Sequence, residues 1–94
     1  MDVKGLAGYR TSLNDLDEQL IELLGKRIDV CRDVAQFKRE NSIPMMQGKR
    51  VDQVKARCAE LALAHQVDPD FVRKLYTMII DETCRVEDEI IGST

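Results

Sequence analysis

Arg27 and Lys38 stand close to a stripe that otherwise holds Leu20, Leu24, Cys31 and Val34. They are eleven positions apart (27 to 38), three helical turns, so on one helix they point in nearly the same direction, roughly 16 Å apart along the axis. Both side chains are long enough to lean toward a shared point between them. A cation among apolar side chains needs a counter-charge, because leaving it unpaired costs several kcal/mol. Two readings meet that need. In the first, each cation snorkels to solvent or pairs with Glu82, Glu87 or another internal acid. In the second, the counter-charge is a doubly negative small molecule, clamped by bidentate hydrogen bonds from arginine and polarised by lysine.

Other residues extend the second reading. Arg10 lies seventeen positions before Arg27, about 100° around a helix axis, so one helix cannot aim both into the same pocket. A second copy of the chain would let Arg10 reach the neighbour's pocket; a surface arginine without a role fits the spacing equally well. Arg50 follows the loop Pro44-Met45-Met46-Gln47-Gly48, which is placed to fold over a site. Thr83 and Glu87 are four apart and near an apolar stripe, where a hydrogen bond within or between helices is the plainer role. The chain has three cysteines and one histidine, His65. Cys31, Cys58 and Cys84 are far from any Cys-x-x-Cys spacing, so they read as small buried apolar residues and no metal site is expected.

These side chains need helices to hold them. Nothing alternates with period two and no hairpin dipeptide occurs, whereas helical spacing runs almost throughout. Leu13, Leu16, Leu20, Leu24, Ile28, Cys31, Val34 and Ala35 predict one helix from about Ala7 to about Asn41, weakened only at Gly25. Asn41-Ser42-Ile43-Pro44 should end it, since a residue before proline avoids the helical region. A second helix is expected after Gly48, with Val51, Val54, Cys58, Leu61 and His65 along one stripe. Asp68 as cap, Pro69 in the first helical position and Asp70 at the positive end predict the third. Phe71, Leu75, Met78, Ile79, Val86 and Ile90 follow it at helical spacing.

The whole chain, 1–94, therefore reads as a single all-α domain of three helices. The length of the first helix then has a consequence. About 35 residues span roughly 50 Å, whereas a chain this small should fold into a body about 30 Å across. Leucines on the excess length need a partner, and a two-fold-related copy, intertwined with the first, is the simplest one. At 44 % hydrophobic and 33 % charged residues the composition is that of a folded, helix-rich chain. The net charge of −3 gives no basic footprint, so nucleic acid and anionic membrane are not expected partners. No apolar run approaches the roughly 20 residues of a membrane span, and the first twenty residues lack a secretory apolar segment, so a cytoplasmic location is expected.

Taken together, Arg10, then Leu16-Asp17-Glu18-Gln19-Leu20-Ile21-Glu22-Leu23-Leu24, then Arg27, Lys38, Pro44 and Arg50 resemble the all-helical chorismate mutases. The resemblance continues through Asp68, Phe71, Leu75, Ile79, Ile80 and the Thr83/Glu87 pair, and covers nearly the whole chain in order. It implies a homodimer whose long first helices interlock around two shared active sites, with no cofactor and no metal. The position matching Arg10 enters the partner's site and binds a substrate carboxylate, and that matching Arg27 binds a carboxylate in its own subunit. Lys38 matches a lysine that contacts a carboxylate and the ether oxygen of the breaking bond. Arg50 matches an arginine at the site, and Glu87 replaces a glutamine that also reaches the ether oxygen.

The implied reaction is the [3,3] rearrangement of chorismate to prephenate, which needs no nucleophile or base. It needs a folded conformer, which two arginines on two carboxylates would hold, and support for charge growing on the ether oxygen, which Lys38 would give. Two further positions bear on the substrate. Val51 stands where many relatives carry a glutamate contacting the ring's 4-hydroxyl, and Gln47 where an aspartate is common. Pro44-Met45-Met46-Gln47 with Arg50-Val51, and Cys84-Arg85-Val86-Glu87-Asp88, are similar to 4-amino-4-deoxychorismate mutases of antibiotic pathways. Isochorismate pyruvate-lyases share the fold and much of the cation set. A carboxylate repels growing negative charge, so Glu87 is expected to act protonated, with activity falling as pH rises. The rival of another class is a catalytically silent helical dimerisation module, in which leucines would be expected in place of the inner cations.

Overall fold

The computed structural model describes residues 5–44 and 48–92. Three helices make up the fold: α1 (Leu6–Glu40), α2 (Gly48–Ala64) and α3 (Pro69–Ile91). No strand occurs among the described residues, and none of the helices is long and apolar enough to cross a membrane. The chain divides into two units, Met1–Val30 and Cys31–Thr94.

Within the first unit the helix keeps its apolar side chains in the open. Leu13, Leu16, Leu20, Ile21, Leu23 and Val30 are all exposed, and only Leu6, Leu24, Arg27 and Ile28 are half-buried. Propensity and backbone hydrogen bonds sustain this helix without a core of its own. Thr11 and Ser12 bond back to the carbonyls of Ala7 and Gly8 at 3.0 and 3.1 Å.

The second unit holds the core. Cys58 and Ala62 of α2 meet Val72 of α3, with Val54 and Tyr76 packed against them. Ala35, Ala59, Ile80 and Val86 are also buried. The side chains buried on α2 are cysteine and alanine, whose small size lets the helices approach closely. The half-buried Val51 and Val54 keep to the expected stripe, but Leu61 is exposed and His65 lies beyond the helix end. On α3 the buried residues are Val72, Ile80, Thr83, Val86 and Glu87. Phe71, Leu75 and Met78, part of the apolar series read at helical spacing, are 55 %, 37 % and 70 % exposed. This helix has two apolar faces, and periodicity alone merges them into one. Cys58 is buried, whereas Cys31 and Cys84 are half-buried, against the expectation of three buried thiols.

The helix ends are set by local chemistry. α1 stops through Ser42 at φ 54°, with the Ile43 N–H donating to the Lys38 carbonyl at 2.9 Å. That is a left-handed cap closed by a bond five residues back, one step ahead of the proline expected to end the helix. α2 ends the same way at Gln66, φ 59°, with the Val67 N–H on the Ala62 carbonyl at 2.8 Å. Asp68 caps α3 as its sequence predicts: its carboxylate accepts from the Asp70 N–H at 3.1 Å, and Pro69 follows.

Candidate functional site

The second unit places a charged pair where its helices are most buried. Lys38, two residues before the end of α1, donates from Nζ to Oε1 of Glu87 on α3 at 3.3 Å. Their side chains are only 18 % and 10 % exposed. Glu87 lies on the side of α3 that also buries Ile80, Thr83 and Val86, which accounts for its burial. Arg39, next along α1, donates to the Ile90 carbonyl at 3.4 Å. Two adjacent residues of α1 thus hold the last turns of α3.

Of the two internal acids expected to compete for Lys38, the structure selects one. Glu87 takes the lysine, while Glu82 is engaged by Arg85 on its own helix, at 2.7 and 3.0 Å. The Arg85 hydrogen bond holds the Glu82 carboxyl below its ordinary value, against a smaller opposing effect of desolvation. Arg85 also reaches Glu89 at 2.7 Å, which makes a solvent-facing triad.

Thr83, one turn before Glu87, is 3 % exposed, and its hydroxyl donates to the Ile80 carbonyl at 3.0 Å. The helix-internal bond considered from sequence is therefore present, and the oxygen keeps its acceptor capacity. Cys84 adjoins the pair as well. Burial pushes its thiol up, the negative charges of Glu87 and Asp81 push it further, Lys38 opposes them, and Cys31 adds a small upward push. Sequence reasoning placed Cys84 in the core and in the Cys84–Asp88 segment of the family resemblance, with no part in the site. Its position three residues before Glu87 was the available signal.

The remaining expected site residues are placed as follows. Arg50 and Val51 occupy the first turn of α2, Arg50 exposed and Val51 half-buried. Arg10 is exposed and Arg27 half-buried, both in the first unit. Gln47 lies outside the described residues, with Met45 and Met46 of the same loop.

Chemically, a lysine ammonium offers three donors, of which Glu87 takes one. In a site this dry, an oxygen of a bound molecule within reach of that ammonium feels a stronger field than it would in water. The lysine of the pair can therefore stabilise negative charge on a ligand oxygen.

Residues 9–88 match the family described as chorismate mutase type II. A 4-amino-4-deoxychorismate mutase of Streptomyces pristinaespiralis is 43 % identical over 88 residues, covering 94 % of this chain and 68 % of that protein. A protein of the same description from Streptomyces venezuelae is 42 % identical over 87 residues, 93 % of this chain and 84 % of its own length. A chorismate mutase of Methanocaldococcus jannaschii is 23 % identical over 92 residues, 98 % and 93 % of the two chains.

Proposed function

Because the chain belongs to the chorismate mutase type II family, an isomerase family, we propose that it rearranges 4-amino-4-deoxychorismate to 4-amino-4-deoxyprephenate. One observation carries the choice of ring substituent. Two 4-amino-4-deoxychorismate mutases are 43 % and 42 % identical to this chain over 88 and 87 residues, against 23 % over 92 residues for the chorismate mutase of Methanocaldococcus jannaschii and 31 % over 69 residues for a secreted chorismate mutase of Mycobacterium tuberculosis. Val51 at the start of α2 offers no acceptor to a 4-hydroxyl or to a 4-amino group, so it bears only on the loss of a 4-hydroxyl contact. The second reading, turnover of chorismate itself, rests on the family as a whole and on the match along nearly all of the chorismate mutase from Methanocaldococcus jannaschii.

In this reading the substrate's two carboxylates are held by Arg27 and by Arg10 of a second copy, with Arg50 closing the site from α2. Lys38 faces the ether oxygen on which negative charge grows. Glu87 faces the same oxygen and acts protonated, while Thr83 borders the ligand. No proton leaves the substrate and no cofactor takes part. The chain's residues fold the substrate into its reactive conformer and stabilise charge.

The second copy is supported by the register of α1. Leu13, Leu16, Leu20, Leu23, Val30, Val34 and Phe37 follow alternating steps of three and four, with Arg27 filling the remaining position, and they are 40–61 % exposed. A 3.5-residue period of this kind is the seam of paired helices. An antiparallel pair centred on Gly25 matches the stripe with itself: 13 with 37, 16 with 34, 20 with 30, and 23 with 27, each summing to 50. The same register sets Arg10 opposite position 40, two residues from the partner's Lys38. The homodimer and its shared sites follow from this pairing, and a cytoplasmic location fits such an assembly.

The test is a parallel assay of purified protein on 4-amino-4-deoxychorismate, chorismate and isochorismate. The expected result is rearrangement of the amino compound with a kcat/KM at least tenfold above that for chorismate. A preference for chorismate would install the second reading. Pyruvate release from isochorismate would favour a lyase, and no turnover of any would favour a silent dimerisation module.

A further inference from the structure

We propose that Arg39 is a positioning residue of the site, holding the last turn of α3 so that Glu87 stays against Lys38. The inference rests on the function proposed above, because it concerns the groups that face the ether oxygen there. The three helices end differently. α1 and α2 each close through a residue at positive φ, Ser42 and Gln66, with a backbone bond reaching five residues back. α3 lacks that closure: Gly92 stays right-handed at φ −76°, and its N–H returns to the Asp88 carbonyl as in an ordinary turn. Its last turn also carries no basic residue to meet the negative end of the helix dipole. Asp88 and Glu89 add charge of the same sign, and Arg85 offsets only the second of them. A helix end with unmet carbonyls and repelling charge is the first to fray.

Arg39 supplies from α1 what α3 lacks. Its guanidinium donates through Nη1 to the Ile90 carbonyl at 3.4 Å. That carbonyl is one of the last four, for which an α-helix has no N–H of its own. Ile90 is three residues beyond Glu87, about 4.5 Å along the axis and on the same side of the helix. Arg39 follows Lys38 directly, so adjacent residues of α1 grip one side of α3 at two points, one in the site and one outside it. The two contacts differ once a substrate arrives. A substrate oxygen draws on the Lys38 ammonium and loosens its hold on Glu87, whereas the Ile90 carbonyl keeps Arg39. The clasp therefore holds Glu87 in place at the step where its partner is shared. The plainer alternative is an exposed arginine resting on a carbonyl without consequence, and it predicts that truncation costs nothing.

The experiment measures kcat and KM on 4-amino-4-deoxychorismate and on chorismate for the intact wild type and four variants: Arg39→Met, Arg39→Lys, Glu87→Ala, and Arg39→Met with Glu87→Ala. Arg39→Met should lose about tenfold in kcat, less than the hundredfold that an ångström of misplacement can cost. Its KM should stay within about twofold, because the arginines proposed to clamp the carboxylates are untouched. Arg39→Lys should recover kcat to within about threefold of wild type, since an ammonium can also donate to the carbonyl. In the Glu87→Ala background Arg39→Met should cost less than about twofold, because the group it positions is gone. Full activity of Arg39→Met overturns the proposal. So does an equal loss in both backgrounds, which a general loss of stability would give, and so does a loss confined to KM. A wild type inactive on both substrates removes the proposed function, and this inference with it. Should Arg39→Met not fold, Arg39→Gln, whose side chain is two atoms shorter, replaces it under the same expectations.

Discussion

At the scale of single residues, the proposed function gives the Lys38–Glu87 pair two roles that a simple truncation confuses. On that proposal, removing the lysine takes away the charge facing the ether oxygen, and it also strands a buried acid. The first loss is expected to cost 10²- to 10³-fold in kcat, by analogy with oxyanion-hole donors. The second is a stability loss of about 3 kcal/mol, at the low end for breaking a buried pair because both side chains keep some contact with water. Lys38→Met alone should therefore lose both activity and melting temperature. Lys38→Met with Glu87→Gln should recover most of the melting temperature and none of the turnover. Thermal melts and single-turnover rates on the three proteins check this, and recovery of activity in the double variant would remove Lys38 from the chemistry. The spacing of Arg27 and Lys38 made both cations visible in the sequence as out of place. It left open whether Lys38 met Glu82 or Glu87, because that choice depends on Arg85 claiming Glu82 on its own helix.

The elements were legible where their ends carry chemistry of their own. Asp68-Pro69-Asp70 specified the start of α3 by local hydrogen bonding alone, and the structure keeps it. Asp68→Ala should cost about 1 kcal/mol, the usual worth of an N-cap. The helix C-termini were harder to read, since Ser42 and Gln66 adopt positive φ without being glycine. Gln66→Gly should relieve that strain and stabilise the chain by about 0.5–1 kcal/mol. Both changes lie away from the charged pair, so urea midpoints should move in opposite directions while kcat stays constant. A shift of kcat with either would show that the α2–α3 connection reaches the site. The stripe on α3 was only partly legible for a different reason. Phe71, Leu75 and Met78 are exposed while Val72, Ile80 and Val86 are buried, because the helix presents two apolar faces that helical spacing alone does not separate.

At the scale of the molecule, the exposed leucines of the first unit are the feature that no single chain accounts for. Helix length and apolar spacing announced them in the sequence. The partner that covers them follows from symmetry rather than from any local signal, which is why periodicity could suggest a second copy without fixing its register. Register turns on the stripe itself, where Leu20 and Val30 face one another across the axis. In an isolated helix Leu20→Glu should be nearly neutral, because leucine and glutamate are similar helix formers. On the seam of two paired helices it should instead separate the copies. Sedimentation equilibrium is expected to find the wild type dimeric and Leu20→Glu shifted toward monomer, with activity falling in step. A variant that stays dimeric and active would take the seam off this stripe of α1.

Subunit complementation tests the central claim, a dianion clamp assembled from two copies, most directly. Arg10→Ala leaves Lys38 in place, and Lys38→Met with Glu87→Gln leaves Arg10 in place, so each homodimer lacks one essential group in both sites. Unfolding, mixing in equal amounts and refolding should make half the dimers mixed, each with one intact site, and restore about a quarter of wild-type turnover. A mixture no more active than the average of its two parents would mean that Arg10 serves its own subunit or serves nothing, and the shared clamp would be contradicted.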